Sequence, residues 1–530
     1  MKYCNCNNIT MTFLKRFVIC RTILLTHESH VCKGRRNQST VVGSVDCHID
    51  KRYANAKPFS AIPGPVGVPG IGSLMQYTGP FKKYDISRYQ EALECRWKSY
   101  GPVVKETIGT RTAVRLYDPD DVQTVYQHEG MWPNIIPILE SSRKYRESRN
   151  MSPGLGNING EEWNRMRKAI QSVMLRPQEV AKYLPFENEV ADDVLVEIEQ
   201  RRDSEGNVVD FNNLMARWNM ETAGLICFEK RLGALEEGME SHTQRMIQAN
   251  YDIFDISTKL MFNPPWQFTT YSTLSKRHFE AEDYFYRNGQ DLVNSTLSHI
   301  KTLTEDGELK EGQYQFVSHL LSNTDLNFKD LSITVLTLFA DGLNATVPTF
   351  LFALYCLAKN QKMQENAFKE LQQNTTDNIT VGCLKNLPYL KACFKESYRF
   401  YPLNLDTKRV LDKDIVLGGY QIPAGTVIEF CSFVQQMSPD YFDNPNDYQP
   451  ERWIRGSSHY KNHHPFILIP FSHGPRMCIG RRIAEQDMYV MMAKLLKKYR
   501  VNTPTEGLGL KFQIIQTLDR PVTFTFEKRE

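Results

Sequence analysis

From about residue 80 onward, apolar residues recur at helical spacing in one long segment after another, and this restricts the chain to a helix-dominated body. Glu162–Met174, Glu187–Arg201, Tyr284–Leu303, Leu331–Lys359, Gln361–Gln373, Leu384–Phe400 and Arg481–Tyr499 all read as helices. Short strand-like runs occur at Val103–Thr112, Arg409–Leu417, Val427–Cys431 and Val522–Phe526. The expected fold class is therefore mainly α with small β-sheets. No internal repeat, low-complexity tract or linker interrupts 81–530, so it is read as a single large domain. Ahead of it, Pro63-Gly64-Pro65 and Pro69-Gly70 exclude helix and central strand, and 58–80 reads as a Pro/Gly-rich hinge.

The first 40 residues hold seven Lys/Arg and one acid, Glu28. Their apolar runs, Phe17–Cys20 and Thr22–Leu25, are split by Arg21 and fall short of the roughly 20 apolar residues of a membrane span. A basic, acid-poor leader of this kind reads as a mitochondrial transit peptide, placed over 1–57; a disordered tail is the plainer alternative. Five of the twelve cysteines precede residue 50 and the others are scattered, which is no disulfide framework of a secreted domain. A formal net charge of +3 argues against a nucleic-acid partner.

The sharpest local signal is Phe471-Ser472-His473-Gly474-Pro475-Arg476-Met477-Cys478-Ile479-Gly480, a glycine-bearing loop that opens into the helix at Arg481. Cys478 at a helix N-terminus, with Arg476 nearby, is expected to have a lowered thiol pKa. A thiolate is the form that ligates iron and favours O–O cleavage. Phe471 would wall off one side, and the small residue Gly480 would let backbone N–H groups approach the sulfur. Three other readings stay open on these residues alone. Cys478 could join His463, His464 or His473 on zinc, act as a nucleophile beside a histidine base, or sit inert in a turn.

This ten-residue run resembles the haem-loop pattern Phe-x-x-Gly-x-Arg-x-Cys-x-Gly of the cytochrome P450 family. The resemblance covers roughly 58–530 and implies one large cytochrome P450-type haem-thiolate fold. Its cofactor would be haem (heme b), with Cys478 as the axial thiolate. It implies that Trp163, Arg167, Arg409 and Arg476 contact the haem propionates, a charge-assisted pairing that suits arginine. Glu396 and Arg399, which taken alone are an ordinary helical pair, would form with Arg452 the ion network that holds the haem loop.

On the long helix, Ala340, Asn344, Ala345 and Thr346 would line the oxygen side, and Gly342 and Pro348 weaken the helix there. The family's acid-then-threonine pair for proton relay aligns with Asn344-Ala345, and Thr346 falls one residue late, about 100° around the helix. Leu403, Leu405 and Asp406 would face the substrate. An ionised Asp406 is costly there unless paired with a polar substrate group or Lys408.

Leu390–Glu396 and Gly480–Glu485 resemble the mitochondrial branch of the family. That likeness implies that Lys391 and Lys395, with Arg481 and Arg482, dock an acidic 2Fe–2S ferredoxin, which draws electrons from NADPH through its reductase. The expected activity is hydroxylation of an apolar small molecule, sterol- or steroid-like or a foreign compound, with O2. The expected location is the matrix side of the inner mitochondrial membrane, with Phe262–Trp266 as a candidate peripheral membrane contact and an ordinary loop as the plainer reading of that segment. Two alternatives are a haem-thiolate isomerase or dehydratase needing no external electrons, and a non-catalytic haem-binding protein.

Overall fold

The helical periods become, in chain order, α1 (Tyr89–Tyr100), α2 (Pro119–His128), α3 (Glu140–Ser148), α4 (Gly160–Met174), α5 (Leu184–Arg201), α6 (Phe211–Phe228), α7 (Glu240–Met261), α8 (Thr273–Glu305), α9 (Gln315–Ser322), α10 (Phe328–Lys359), α11 (Gln361–Asn374), α12 (Pro388–Phe400) and α13 (Arg481–Lys498), with a few shorter turns between them. The computed structural model describes residues 51–80, 82–236, 240–262, 272–310, 312–323 and 325–530. The expected transit peptide up to residue 50 and the segment 263–271, including Pro264, Pro265 and Trp266, lie outside the described residues. Arg52–Glu530 forms one unit. It is mainly helical with small sheets, as the sequence patterns imply.

α10 organises the interior. Asn327 caps it, its side chain accepting the Asp330 N–H at 2.9 Å. Its N-terminal half packs in one core with Met166, Phe228, Met246, Phe285 and Phe316; its C-terminal half packs in another with Trp218, Leu390, Phe394, Met491 and Phe526. Each such large side chain, fully buried, contributes about 1.5–3 kcal/mol. Among the described residues α10 is the one helix long and apolar enough to cross a membrane, yet 72% of that stretch is buried inside the body. It runs unbroken through Pro348, although proline supplies no N–H there. Gly342 serves packing: a Cβ at that position would stand 2.5 Å from the Asn219 carboxamide, so glycine lets α6 cross closely.

Several boundaries differ from the sequence reading. Leu384–Phe400 divides, because Pro388 starts α12 after the separate turn Val381–Lys385. Val103–Thr112 is a hairpin, β1 (Val103–Ile108) and β2 (Arg111–Leu116), turned at Gly109 with φ +62°. Arg409–Leu417 splits into β3 (Thr407–Val410) and β4 (Ile415–Leu417), which lie in different sheets; β4 pairs with β5 (Tyr420–Ile422). Val427–Cys431 becomes β6 (Val427–Phe430). Two further pairs close the chain: β7 (Tyr499–Asn502) with β10 (Thr525–Lys528), and β8 (Leu510–Gln513) with β9 (Ile515–Leu518).

The main sheet has the order β1-β2-β6-β3, and its β2–β6 pair is parallel. Arg115, Glu429 and Lys408 stand in one cross-strand row. Arg115 Nε meets Glu429 at 2.9 Å and also reaches Glu106, which Arg96 holds at 2.8 Å. Burial alone would raise the Glu106 carboxyl, but Arg115 and Arg96 hold it down at about 2. Residues 58–80, read as a hinge, lie along β1: Ser73 N–H donates to Thr107 at 2.7 Å, and Lys105 N–H donates to Pro63 at 2.9 Å.

Candidate active site

The Phe471–Gly480 loop is folded by its own backbone. Cys478 N–H donates to the Phe471 carbonyl at 2.9 Å, and Met477 N–H to Gly474 at 3.1 Å. Gly474 has φ +73°, and a Cβ there would run into the Glu129 carboxylate. Gly480 is the N-cap of α13. Phe471 lies under the Arg481 guanidinium at 5.5 Å and edge-on to Tyr398 at 5.9 Å.

The Cys478 side chain is accessible at its surface, yet protein surrounds it at longer range. Burial raises its thiol pKa, against the backbone N–H groups of Gly480 and Arg481 and the Arg167 charge, which favour the thiolate. This corrects the expectation of a lowered thiol: the helix N-terminus acts as expected, but burial outweighs it. Arg167, rather than Arg476, is the guanidinium that acts on the sulfur. The candidate zinc ligands disperse. His463 stacks on Phe442 at 4.5 Å, His464 pairs with Asp120 at 3.1 Å, and His473 packs on Tyr126 and Phe466. Among the described residues no group of three His, Cys, Asp or Glu is placed to share a metal.

Three arginines converge beside the loop. Arg476 stacks on Trp163 at 4.1 Å and donates to Pro133 and Ile158 carbonyls at 2.9 Å and to Asn159 Oδ1 at 2.8 Å. Arg167 donates to the Met477 carbonyl at 2.9 Å, and its buried Nε has no partner. Arg409, on β3, holds Glu129 at 2.6 Å and Ser472 Oγ at 3.3 Å. Burial, then repulsion from Arg409 and Arg167, lowers Arg476 to about 9; burial lowers Arg167 to about 10. Three guanidiniums against the single carboxylate of Glu129 leave an excess of buried positive charge. A dianion beside an open thiol satisfies both features, so these residues fit a haem with two propionates.

Glu396 is fully buried. Its Oε1 accepts from Arg399 at 2.7 Å, Arg452 at 2.9 Å and the Gln449 N–H at 3.1 Å; its Oε2 accepts from Arg399 at 3.1 Å and Trp453 Nε1 at 2.7 Å. Arg399 also donates to the carbonyls of Gln436 and Pro445 at 2.9 and 2.8 Å. The Gln436 side chain then reaches the Ile467 carbonyl at 3.0 Å, on the approach to the cysteine loop.

In the middle of α10 the less buried residues are Thr337, Leu338, Asp341, Gly342 and Ala345, a single stripe at helical spacing. Ala340, Asn344 and Thr346 are buried off that stripe. Asn344 is engaged elsewhere, donating to Asn250 of α7. Of the four residues expected on the oxygen side, only Ala345 lies on the open face. Asp341, one helical turn before it, shares that face and was assigned no role from sequence. The i, i+4 spacing to Ala345 was the available signal.

A cleft of about 320 Å³ lies between α3, α7 and the main sheet, lined by Leu139, Ser141, Leu260, Phe262 and Ile514 with Asp406 and Lys408 on one wall. Lys408 pairs with Asp406 at 3.1 Å, the partner that a buried Asp406 requires. Leu403 and Leu405 instead line a separate notch of about 40 Å³ with Tyr398, which Asp406 also borders. On the surface near the loop, Lys395 lies over Trp453 at 4.3 Å, Arg481 pairs with Glu485 at 3.2 Å, Lys391 is half-buried and Arg482 is exposed.

The cytochrome P450 family model matches residues 62–517. A protein of Caenorhabditis elegans described as probable cytochrome P450 CYP44 is 36% identical over 481 residues, spanning 89% of this chain and 94% of its own length. Cytochrome P450 10 of Lymnaea stagnalis is 30% identical, over 94% of this chain and 91% of its own. The mitochondrial 1,25-dihydroxyvitamin D(3) 24-hydroxylase of Mus musculus is 29% identical, over 88% of this chain and 89% of its own.

Proposed function

The chain belongs to the cytochrome P450 family and is a haem-thiolate monooxygenase; from that premise we propose that it is a mitochondrial, ferredoxin-fed enzyme that hydroxylates a sterol- or steroid-like apolar molecule. The observation that carries the chemistry is the accessible Cys478 thiol just before α13, with Arg167, Arg409 and Arg476 gathered at its loop. Haem, when bound through Cys478, supplies activation of dioxygen. Arg167, Arg409 and Arg476 would take its propionates, and the closed Glu396 network would keep the loop in place. The α10 stripe from Leu338 to Ala345 faces the reacting side. The 320 Å³ cleft is apolar at Leu139, Leu260, Met261, Phe262 and Ile514 and charged along the sheet and α3, which suits an apolar body with a hydrogen-bonding end.

The mitochondrial assignment draws on the basic leader and on the relatives named as mitochondrial. Lys391, Lys395, Arg481 and Arg482 flank the loop and suit an acidic ferredoxin, whose approach would be steered by charge and weakened by salt. The enzyme would sit on the matrix side of the inner membrane; Phe262, expected at the membrane surface, is instead buried against Tyr77 and Tyr89. The test is product formation with NADPH, ferredoxin, its reductase, a sterol and steroid panel and labelled O2, read by mass spectrometry. Labelled product only with ferredoxin supports this reading. Product without ferredoxin favours the second reading, an isomerase or dehydratase, which the alanine at 345 motivates.

A further inference from the structure

The open face of α10 carries one ionisable side chain, Asp341, and it makes no hydrogen bond or ion pair with the described residues. From the stripe it shares with Ala345, its charge acts on Cys478, Arg146 and Tyr286. Behind it lies a polar cluster that the scaffold does not require. Arg146 of α3 is buried; it donates to Tyr286 Oη at 2.5 Å and to the Pro153 carbonyl at 2.7 Å, and its Nε has no partner. Glu282, one turn before Tyr286 on α8, is wholly buried; the Ser142 hydroxyl approaches it, but neither oxygen has a full hydrogen bond. His278, one turn earlier again, brings Nε2 to 3.6 Å from Glu282 Oε1 and to 3.0 Å from Ser257 Oγ. Ser257 bonds Ser141 at 2.7 Å, and both serines line the 320 Å³ cleft. Hydroxyl, imidazole, carboxyl, guanidinium and phenol groups thus span the distance from the cleft to the face over the loop.

One guanidinium, Arg146, acts on both carboxyls, and the surrounding protein disfavours a second negative charge there. Burial raises Glu282 to about 7 and Asp341 to about 6, with Arg146 opposing in both cases. The facing titratable groups are Arg146 on α3, His278, Glu282, Asp283 and Tyr286 on α8 and Cys478 on the loop.

Resting on the monooxygenase reading above, we propose that Asp341 delivers protons to the side of the pocket where dioxygen is reduced, and that Arg146, Tyr286, Glu282 and His278 position and reload it. Hydroxylation of RH consumes O2, two electrons from ferredoxin and two protons; one oxygen enters a C–H bond and the other leaves as water. The Asp341 carboxyl releases each proton and regains one from the Glu282 side, ending unchanged. The Tyr286 hydroxyl, which accepts from Arg146, is free to donate onward. Arg146 stays protonated and holds the two acids in place. Asp341 thus replaces, from one turn earlier on the helix, the acid–alcohol pair missing at Asn344-Ala345.

The test uses the holoenzyme with ferredoxin and reductase. Infrared titration should show carboxylic C=O absorption lost as pH rises through about 6 and 7, with Asp341→Asn removing one component and Glu282→Gln the other. With substrate, Asp341→Asn should lower product per NADPH at least about tenfold, with peroxide making up the difference, the scale of a lost general acid. Asp341→Glu should restore coupling, and Arg146→Met should move the pH at which coupling fails. An infrared band unchanged in Asp341→Asn overturns the proposal whether or not a substrate is known. Product per NADPH within twofold of the unmodified enzyme overturns it while leaving the monooxygenase reading intact. Product without ferredoxin overturns that reading itself, and with it this one.

Discussion

Glu396 and Glu282 are both buried carboxyls beside arginine, and they are treated in opposite ways. Both oxygens of Glu396 are filled by Arg399, Arg452, Trp453 and a backbone N–H. Glu282 has only the Ser142 hydroxyl approaching it and no full hydrogen bond on either oxygen, and burial raises it to about 7. Burial of an acid near an arginine therefore says little alone; the count of donors around it separates the two. A carboxylate with every lone pair engaged fixes chain segments in place. One left underserved holds its proton within reach of neutral pH.

The largest break in this contrast is Glu396→Ala. It leaves Arg399 and Arg452 buried without their acid, and should cost about 3–5 kcal/mol, read as lost denaturant stability and lost haem retention. Next comes Glu282→Gln. A carboxyl raised from 4.5 to about 7 on folding contributes stability below its unfolded pKa and loses it as pH rises through the folded one. The unmodified protein should therefore weaken relative to the Gln variant between about pH 4.5 and 7, by on the order of 3 kcal/mol. A flat difference across that window would show that Arg146 keeps Glu282 ionised.

Smaller again is the Asn344–Asn250 pair. Asn344→Leu strands a buried amide and should cost about 1–3 kcal/mol, much of it recovered in the double variant with Asn250→Leu, as a denaturation cycle would read. Least for stability is Lys395→Glu with Arg482→Glu, within about 0.5 kcal/mol. Its effect belongs to the ferredoxin KM, which should rise and lose part of its salt dependence.

The cysteine loop was legible because its constraints are local: two glycines, an arginine and a cysteine within ten residues. The face of α10 was not. Spacing shows that Asp341 and Ala345 share a side, but only the neighbours of Asn344 reveal that its own side is taken by α7. Phe211–Phe228 escaped notice because it is buried nearly all round, Arg217 and Glu221 included, so no apolar stripe marks it. The Glu106–Arg115–Glu429 row depends on pairing between β2 and β6, which no local pattern encodes. Glu129 beneath Gly474 is hidden for the same reason.

The parallel pairing of β2 with β6 joins residues about three hundred positions apart, and β3 then brings Arg409 to Glu129 across a similar span. During synthesis the first hairpin of the main sheet must wait, one hydrogen-bonding edge unpaired, until the chain has been made past Phe430. An unpaired edge is a template for another chain, and such distant closure is slow. Assembly of the main sheet is timed by the arrival of the C-terminal third, which also carries the cysteine.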